Sequence, residues 1–172
     1  MPISGLQTEV IEGTPVQVQW FERVRLELHP QQDVPYDVLV SRLGVDLLMN
    51  QGRDWWLFPQ SEPATDCLFF EQTSKNLCSP FLEAWRERGL ELDGQPGFSD
   101  NESLALLGMP ISDAQLERLS DGAQYQVQWF ERGRLELHPQ QPAPFTVQSG
   151  LLGREMEIYR TNERLQPLRR DD

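Results

Sequence analysis

The stretch QVQWFERVRLELHPQQ, Gln17 to Gln32, recurs as QVQWFERGRLELHPQQ, Gln126 to Gln141, and of the aligned positions only Val24 against Gly133 differs. Identity of that kind marks an internal repeat, which decides the architecture before any single element does. Outward from it the match loosens. MPIS at Met1 to Ser4 aligns with MPIS at Met109 to Ser112 after one inserted residue, and Pro35, Tyr36, Val38, Leu43 and Gly44 align with Pro144, Phe145, Val147, Leu152 and Gly153. The two copies occupy residues 1–48 and 109–157.

Within each copy Val16, Val18 and Trp20 alternate with Gln17, Gln19 and Phe21, and Leu26 and Leu28 alternate with Arg25, Glu27 and His29. Period two means strand. The connection is Glu-Arg-Val in one copy and Glu-Arg-Gly in the other, so each copy reads as a β-hairpin, with Gly133 suited to a positive φ that Val24 would resist. Residues 49–108 differ in character. SPFLEAWRERG, Ser79 to Gly89, has a Ser cap, Pro at the first helical position and a terminal Gly. SDNESLALLGMP offers Ser99 or Asp100 as a cap and Gly108 as a stop, and DGQPGF between them is a loop. The expected fold is therefore α+β, two β-hairpin repeat units flanking a short helical insert, with a disordered tail over residues 158–172 that carries Arg164, Arg169 and Arg170.

With 38% hydrophobic residues and five Trp in 172 residues, the chain can bury a core. Its formal charge of -12, from 27 acids against 15 bases, repels phosphate backbones and excludes nucleic acid as a partner. No apolar run approaches the roughly 18 residues of a membrane span. MPISGLQTEV lacks the parts of a signal peptide, which reads either as a cytosolic protein or as a piece of a longer one. Cys67 and Cys78 are too few for a thiolate metal site, and leave a disulfide or two free thiols.

No residue pattern meets the needs of catalysis, a metal or a cofactor. His29 and His138 occupy equivalent positions and read as strand-end side chains bonded to backbone, rather than as bases or a two-His metal site. Glu22, Glu27, Glu131 and Glu136 alternate with Arg23, Arg25, Arg132 and Arg134; opposite charges facing across a hairpin explain them better than a glycosidase carboxylate pair. Trp20 and Trp129 share a face with Val18 and Val127 and read as core. Phe21 and Phe130 point the other way, so a neighbouring repeat, the middle helix or a ligand must cover them. Trp55 and Trp56 cannot share a face if extended, and the pattern leaves open which of them is exposed.

The order LLGMPIS followed by YQVQWFERGRLELHP resembles the LGFP-type repeat of bacterial surface proteins. It is more similar still to a related repeat of long secreted bacterial proteins, with a Phe-Glu-x-Thr lead-in, a Trp-bearing helix, Gly-x-Pro-Ile-Ser and a Phe-Glu-Arg-x-Arg hairpin. Here the lead-in is Cys67 to Cys78, the helix Trp is Trp85, and the remainder runs from Gly108 to Pro139. The DGQPGFSDNESL insertion departs from that pattern. The resemblance implies a non-catalytic module in an extracellular or envelope location, as a segment of a longer secreted protein that begins in mid-unit at Met1. It implies attachment to peptidoglycan or another surface polysaccharide, and a Cys67–Cys78 disulfide. The hairpin tips, with Trp20, Phe21, Arg23, Arg25, Trp129, Phe130, Arg132 and Arg134, are the expected ligand surface, a basic and aromatic patch on an acidic background. The alternative is a structural repeat that joins copies of itself or spaces a neighbouring catalytic domain.

Overall fold

The computed structural model describes residues 1–165, with side chains through Thr161. The chain is an α+β protein. Strands β1 (Gln7–Ile11), β2 (Thr14–Trp20), β3 (Arg25–Leu28) and β4 (Val38–Val40) form an antiparallel meander that leads into α1 (Leu43–Asn50). The insert follows, with a 3-10 turn (Trp55–Leu57), the hairpin β5 (Leu68–Phe70) and β6 (Lys75–Leu77), α2 (Phe81–Arg86) and α3 (Asp100–Leu107). A second meander, β7 (Gln115–Arg118), β8 (Gln124–Trp129), β9 (Arg134–Leu137) and β10 (Val147–Ser149), leads into α4 (Leu152–Leu165). The repeated sequence supplies the central strand pair of each meander in one register, Trp20 opposite Arg25 and Trp129 opposite Arg134.

One core joins the copies. Val16, Val18 and Trp20 of β2, with Val127 and Trp129 of β8, bury against Leu43, Leu47 and Leu48 of α1 and Leu152 and Met156 of α4. Each buried side chain of this size contributes on the order of 2 kcal/mol, and the cluster draws on both copies. Half of the molecule would leave that core open.

The helices interlock with the opposite hairpin. The start of α1 rests on the second copy's turn, where the Val45 amide donates to the Glu131 carbonyl at 3.2 Å; the start of α4 rests on the first, where the Arg154 amide donates to the Glu22 carbonyl at 3.1 Å. Amides in a helix's first turn lack partners within the helix, and here the opposite turn supplies them. Contact is so close that a Cβ on Gly44 would overlap the Phe130 carbonyl oxygen, and one on Gly153 the Phe21 carbonyl oxygen. The aligned Leu-Gly pairs of the two copies are thus their docking points.

The insert's second hydrophobic cluster packs on the second copy. Phe130, Leu135 and Val147 bury against Leu77, Phe81, Ala84, Trp85 and Leu107, whereas Phe21, Leu26 and Leu28 remain half-buried. This asymmetry accounts for the single difference in the repeated stretch. Gly133 does not adopt the expected positive φ; its Cβ would stand 3.0 Å from the Leu107 side chain, and Val24 has no such helix pressed on it from its own copy.

In the insert Ser99 caps α3 in a reciprocal box with Glu102, and Gly108 ends it at φ 75°. Helix α2 is shorter than Ser79 to Gly89, with Pro80 as its cap residue. Cys67 and Cys78 form a disulfide that closes the β5–β6 hairpin at its base. Residues 158–165, expected in a disordered tail, continue α4, because Tyr159 packs on the shared core and Arg160 pairs with Glu9 at 2.9 Å. Residues 166–172, with Arg169 and Arg170, lie outside the described residues. No helix among the described residues is long and apolar enough to cross a membrane.

Candidate functional site

Trp20 and Trp129 are buried, and each indole donates to an inward carboxylate on the neighbouring strand, Glu9 at 2.8 Å and Glu117 at 3.0 Å. Arg160 from α4 completes the first of these pairs, its guanidinium 4.1 Å from the Trp20 ring centre. Arg53, just beyond α1, completes the second with a two-pronged bond to Glu117. Burial alone would raise the Glu117 carboxyl, but Arg53, the Trp129 indole and Gln115 outweigh it and hold the group below its ordinary value.

Arg25 and Arg134 are also buried. Arg25 binds Ser41, Glu27 and Glu9; Arg134 binds Glu136 and Glu155, both at 2.6 Å. These pairs run along one strand, over the sheet from β3 to β1, or out to a helix, rather than between the two strands of the hairpin. His29 and His138 bond through Nε2 to Glu27 at 3.0 Å and Glu136 at 3.2 Å, so each imidazole meets a carboxylate and not the backbone. Burial pushes the Glu27 carboxyl up, but bonds from Ser41, His29 and Arg25 bring it below its ordinary value. An open groove of about 740 Å³ runs over this network in the first copy, lined by Arg25, Glu27, His29, Ser41 and Asp46. Its counterpart in the second copy, over Arg134, Glu136 and His138, is smaller, at about 390 Å³. Burial raises the Asp46 carboxyl at the groove wall despite the nearby Arg25.

The hairpin tips face one another instead of presenting two separate surfaces. Arg23 donates to the Ser149 carbonyl, and Arg132 to the Val40 carbonyl of the opposite copy. Glu22 pairs with Arg154 and Glu131 with Arg42, each at 3.2 Å, so the carboxylates of the tips also bridge the copies. Between the tips lies a cavity of about 330 Å³ that brings together Phe21, Arg23, Arg132 and Arg134. Trp129 and Phe130 are fully buried.

The exposed aromatic side chains are elsewhere. Tyr36 and Phe145, 55% and 61% exposed, occupy equivalent positions after a cis proline in the loop from β3 to β4 and from β9 to β10. The two loops are held alike: the His29 and His138 amides donate to Asp37 and Thr146, and the Tyr36 and Phe145 amides to Asp33 and Pro142. Of the Trp pair, Trp55 is buried and Trp56 is 71% exposed, stacked on Trp55 with ring centres 3.7 Å apart. The aligned aromatic positions 36 and 145 were visible in the sequence as a repeat feature, but their exposure was not.

Among the described residues, Glu91, Asp93 and Glu102 are the group whose carboxylates converge as metal ligands would, and Glu102 is already engaged by the Leu92 and Ser99 amides. Compared with known protein families, curated proteins and solved structures, the chain matches none.

Proposed function

We propose that the chain is a non-catalytic binding module of a secreted or surface bacterial protein, with peptidoglycan or another surface polysaccharide as its ligand. The observation that carries this reading is the pair of exposed aromatic rings, Tyr36 and Phe145, presented by two identically braced loops. Aromatic faces stack on sugar rings, and the recurrence of an exposed ring at equivalent positions puts two such faces on one chain. Trp56 adds a third such face. The polar groove over Arg25, Glu27 and His29 adds hydrogen-bonding groups of the kind that sugar hydroxyls meet. Two weak contacts on one rigid chain gain by avidity on a repetitive polymer.

The test is depletion of the full chain from solution by insoluble peptidoglycan and by a panel of other insoluble polysaccharides. Saturable retention on at least one polymer supports the reading, and recovery of all the protein in the supernatant from every polymer contradicts it. Self-assembly is the second reading. It rests on the exposed outer strands β1 and β7, where Val10 and Leu116 are each 73% exposed. Light scattering against concentration distinguishes it.

A further inference from the structure

We infer that the cleft between the hairpin tips is a binding site for a small amphipathic carboxylate, adjacent to the Phe145 loop of the proposed polymer surface. Its walls are apolar, formed by Phe21, Val24, Leu26, Leu106 and Leu107, and Arg23 and Arg132 stand among them. A second hollow of about 350 Å³ shares Arg23 and Ser149 with the first and adds Arg88 and Phe145.

The charges make the case. Arg23, Arg88 and Arg132 make no ion pair among the described residues, although acids outnumber bases 27 to 15 in the whole chain. They spend their bonds on carbonyl oxygens: Arg23 on Ser149, Arg132 on Val40, and Arg88 on Ala84 and Val147. The Nε of Arg132 is buried without any hydrogen-bond partner.

Nearby acids are engaged or set apart. Glu131 is taken by Arg42 and the Met109 amide, and Glu22 by Arg154 and the Met1 amino group. Glu87 lines the second hollow beside Arg88 without forming an ion pair. Arg88 and Arg132 are half-buried, whereas Arg23 is exposed at the mouth. A half-buried guanidinium without a counter-ion is costly, and its attraction for a carboxylate is stronger beside apolar walls than in water. Sugar hydroxyls would lose their water against Leu and Val walls without replacement, which separates this site from the polysaccharide reading.

The probe is sodium octanoate, titrated into the full chain and followed by calorimetry and amide shifts. Acetate tests the charge alone, and octyltrimethylammonium the same chain with the charge reversed. Saturable octanoate binding, with neither control binding, is expected. The Arg23→Gln, Arg132→Gln double variant should weaken it by about tenfold or more. Leu106→Trp fills the cleft, leaves both arginines in place and should abolish binding; it decides the matter if the double variant fails to fold. The inference is overturned if the wild type shows no saturable octanoate binding, if octyltrimethylammonium binds equally, or if folded Leu106→Trp binds as the wild type does. Polymer depletion should be unchanged in Leu106→Trp, so this site and the loops fail separately.

Discussion

Gly44→Ala should destabilise the protein, against the usual rule for helices. Replacing Gly by Ala within a helix ordinarily gains about 1 kcal/mol. Here the added Cβ would overlap the Phe130 carbonyl oxygen and stand 3.0 Å from that of Gly133 and 3.1 Å from that of Glu131. All three are backbone atoms of the opposite turn, so no side chain can swing away, and α1 must withdraw. Overpacking of this kind costs about 1–3 kcal/mol. Withdrawal also loses the Val45–Glu131 backbone bond, worth about 1 kcal/mol net, and the part-exposed Arg42–Glu131 pair, worth under about 1 kcal/mol. Subtracting the helical gain leaves a loss of about 1–4 kcal/mol. In a chain of this size that lowers the melting temperature by roughly 2–16 °C. Gly5→Ala is the control, since a Cβ there meets nothing within 4 Å. Thermal melts of the two variants beside the wild type decide the point. A Gly44→Ala protein that melts at or above the wild type would refute the interlocked docking.

Other substitutions probe other parts of the fold. Arg134→Met strands Glu136 and Glu155 around a site that is 2% exposed, and should cost about 3–5 kcal/mol in urea unfolding, whereas Arg154→Ala at the surface should unfold close to the wild type. Reducing the Cys67–Cys78 disulfide frees a loop of sequence separation 11; it should cost roughly 3 kcal/mol in the chain-entropy account, read as a lower melting temperature in dithiothreitol. The Glu117 carboxyl is held below its ordinary value in the folded chain, so its ionised form stabilises above the ordinary carboxylate range, and that stabilisation is lost as pH falls through the depressed folded value. Unfolding at pH 6 and pH 3 should therefore show a smaller loss of stability for Glu117→Gln than for the wild type.

The repeat, the central strands and the capped helix at Ser99 were legible because their signals are local. The outer strands were not. In β1 and β7 the inward position is a carboxylate, Glu9 or Glu117, bonded to a buried indole, so the alternation reads inside out. Helix α1 escaped notice because Gly44 at its second position counts against a helix, and only the opposite turn gives the reason for it. Helix α4 has a polar sequence that resembles a tail, yet Leu152, Met156 and Tyr159 already follow a helical spacing. At the candidate site, the sequence located the repeated surface at the hairpin tips, where charge and aromatic residues concentrate. Most of those side chains serve the shared interior or the contact between copies, an arrangement that depends on the two meanders facing each other.

The most direct test of the binding account is an isotherm on insoluble peptidoglycan, or on whichever polymer retains the wild type, for Tyr36→Ala, Phe145→Ala and the double variant. Both side chains are exposed, so each variant should melt as the wild type does. The account predicts that each single variant binds about tenfold more weakly or worse, through loss of avidity, and that the double variant is not retained. A folded double variant retained as well as the wild type would contradict it.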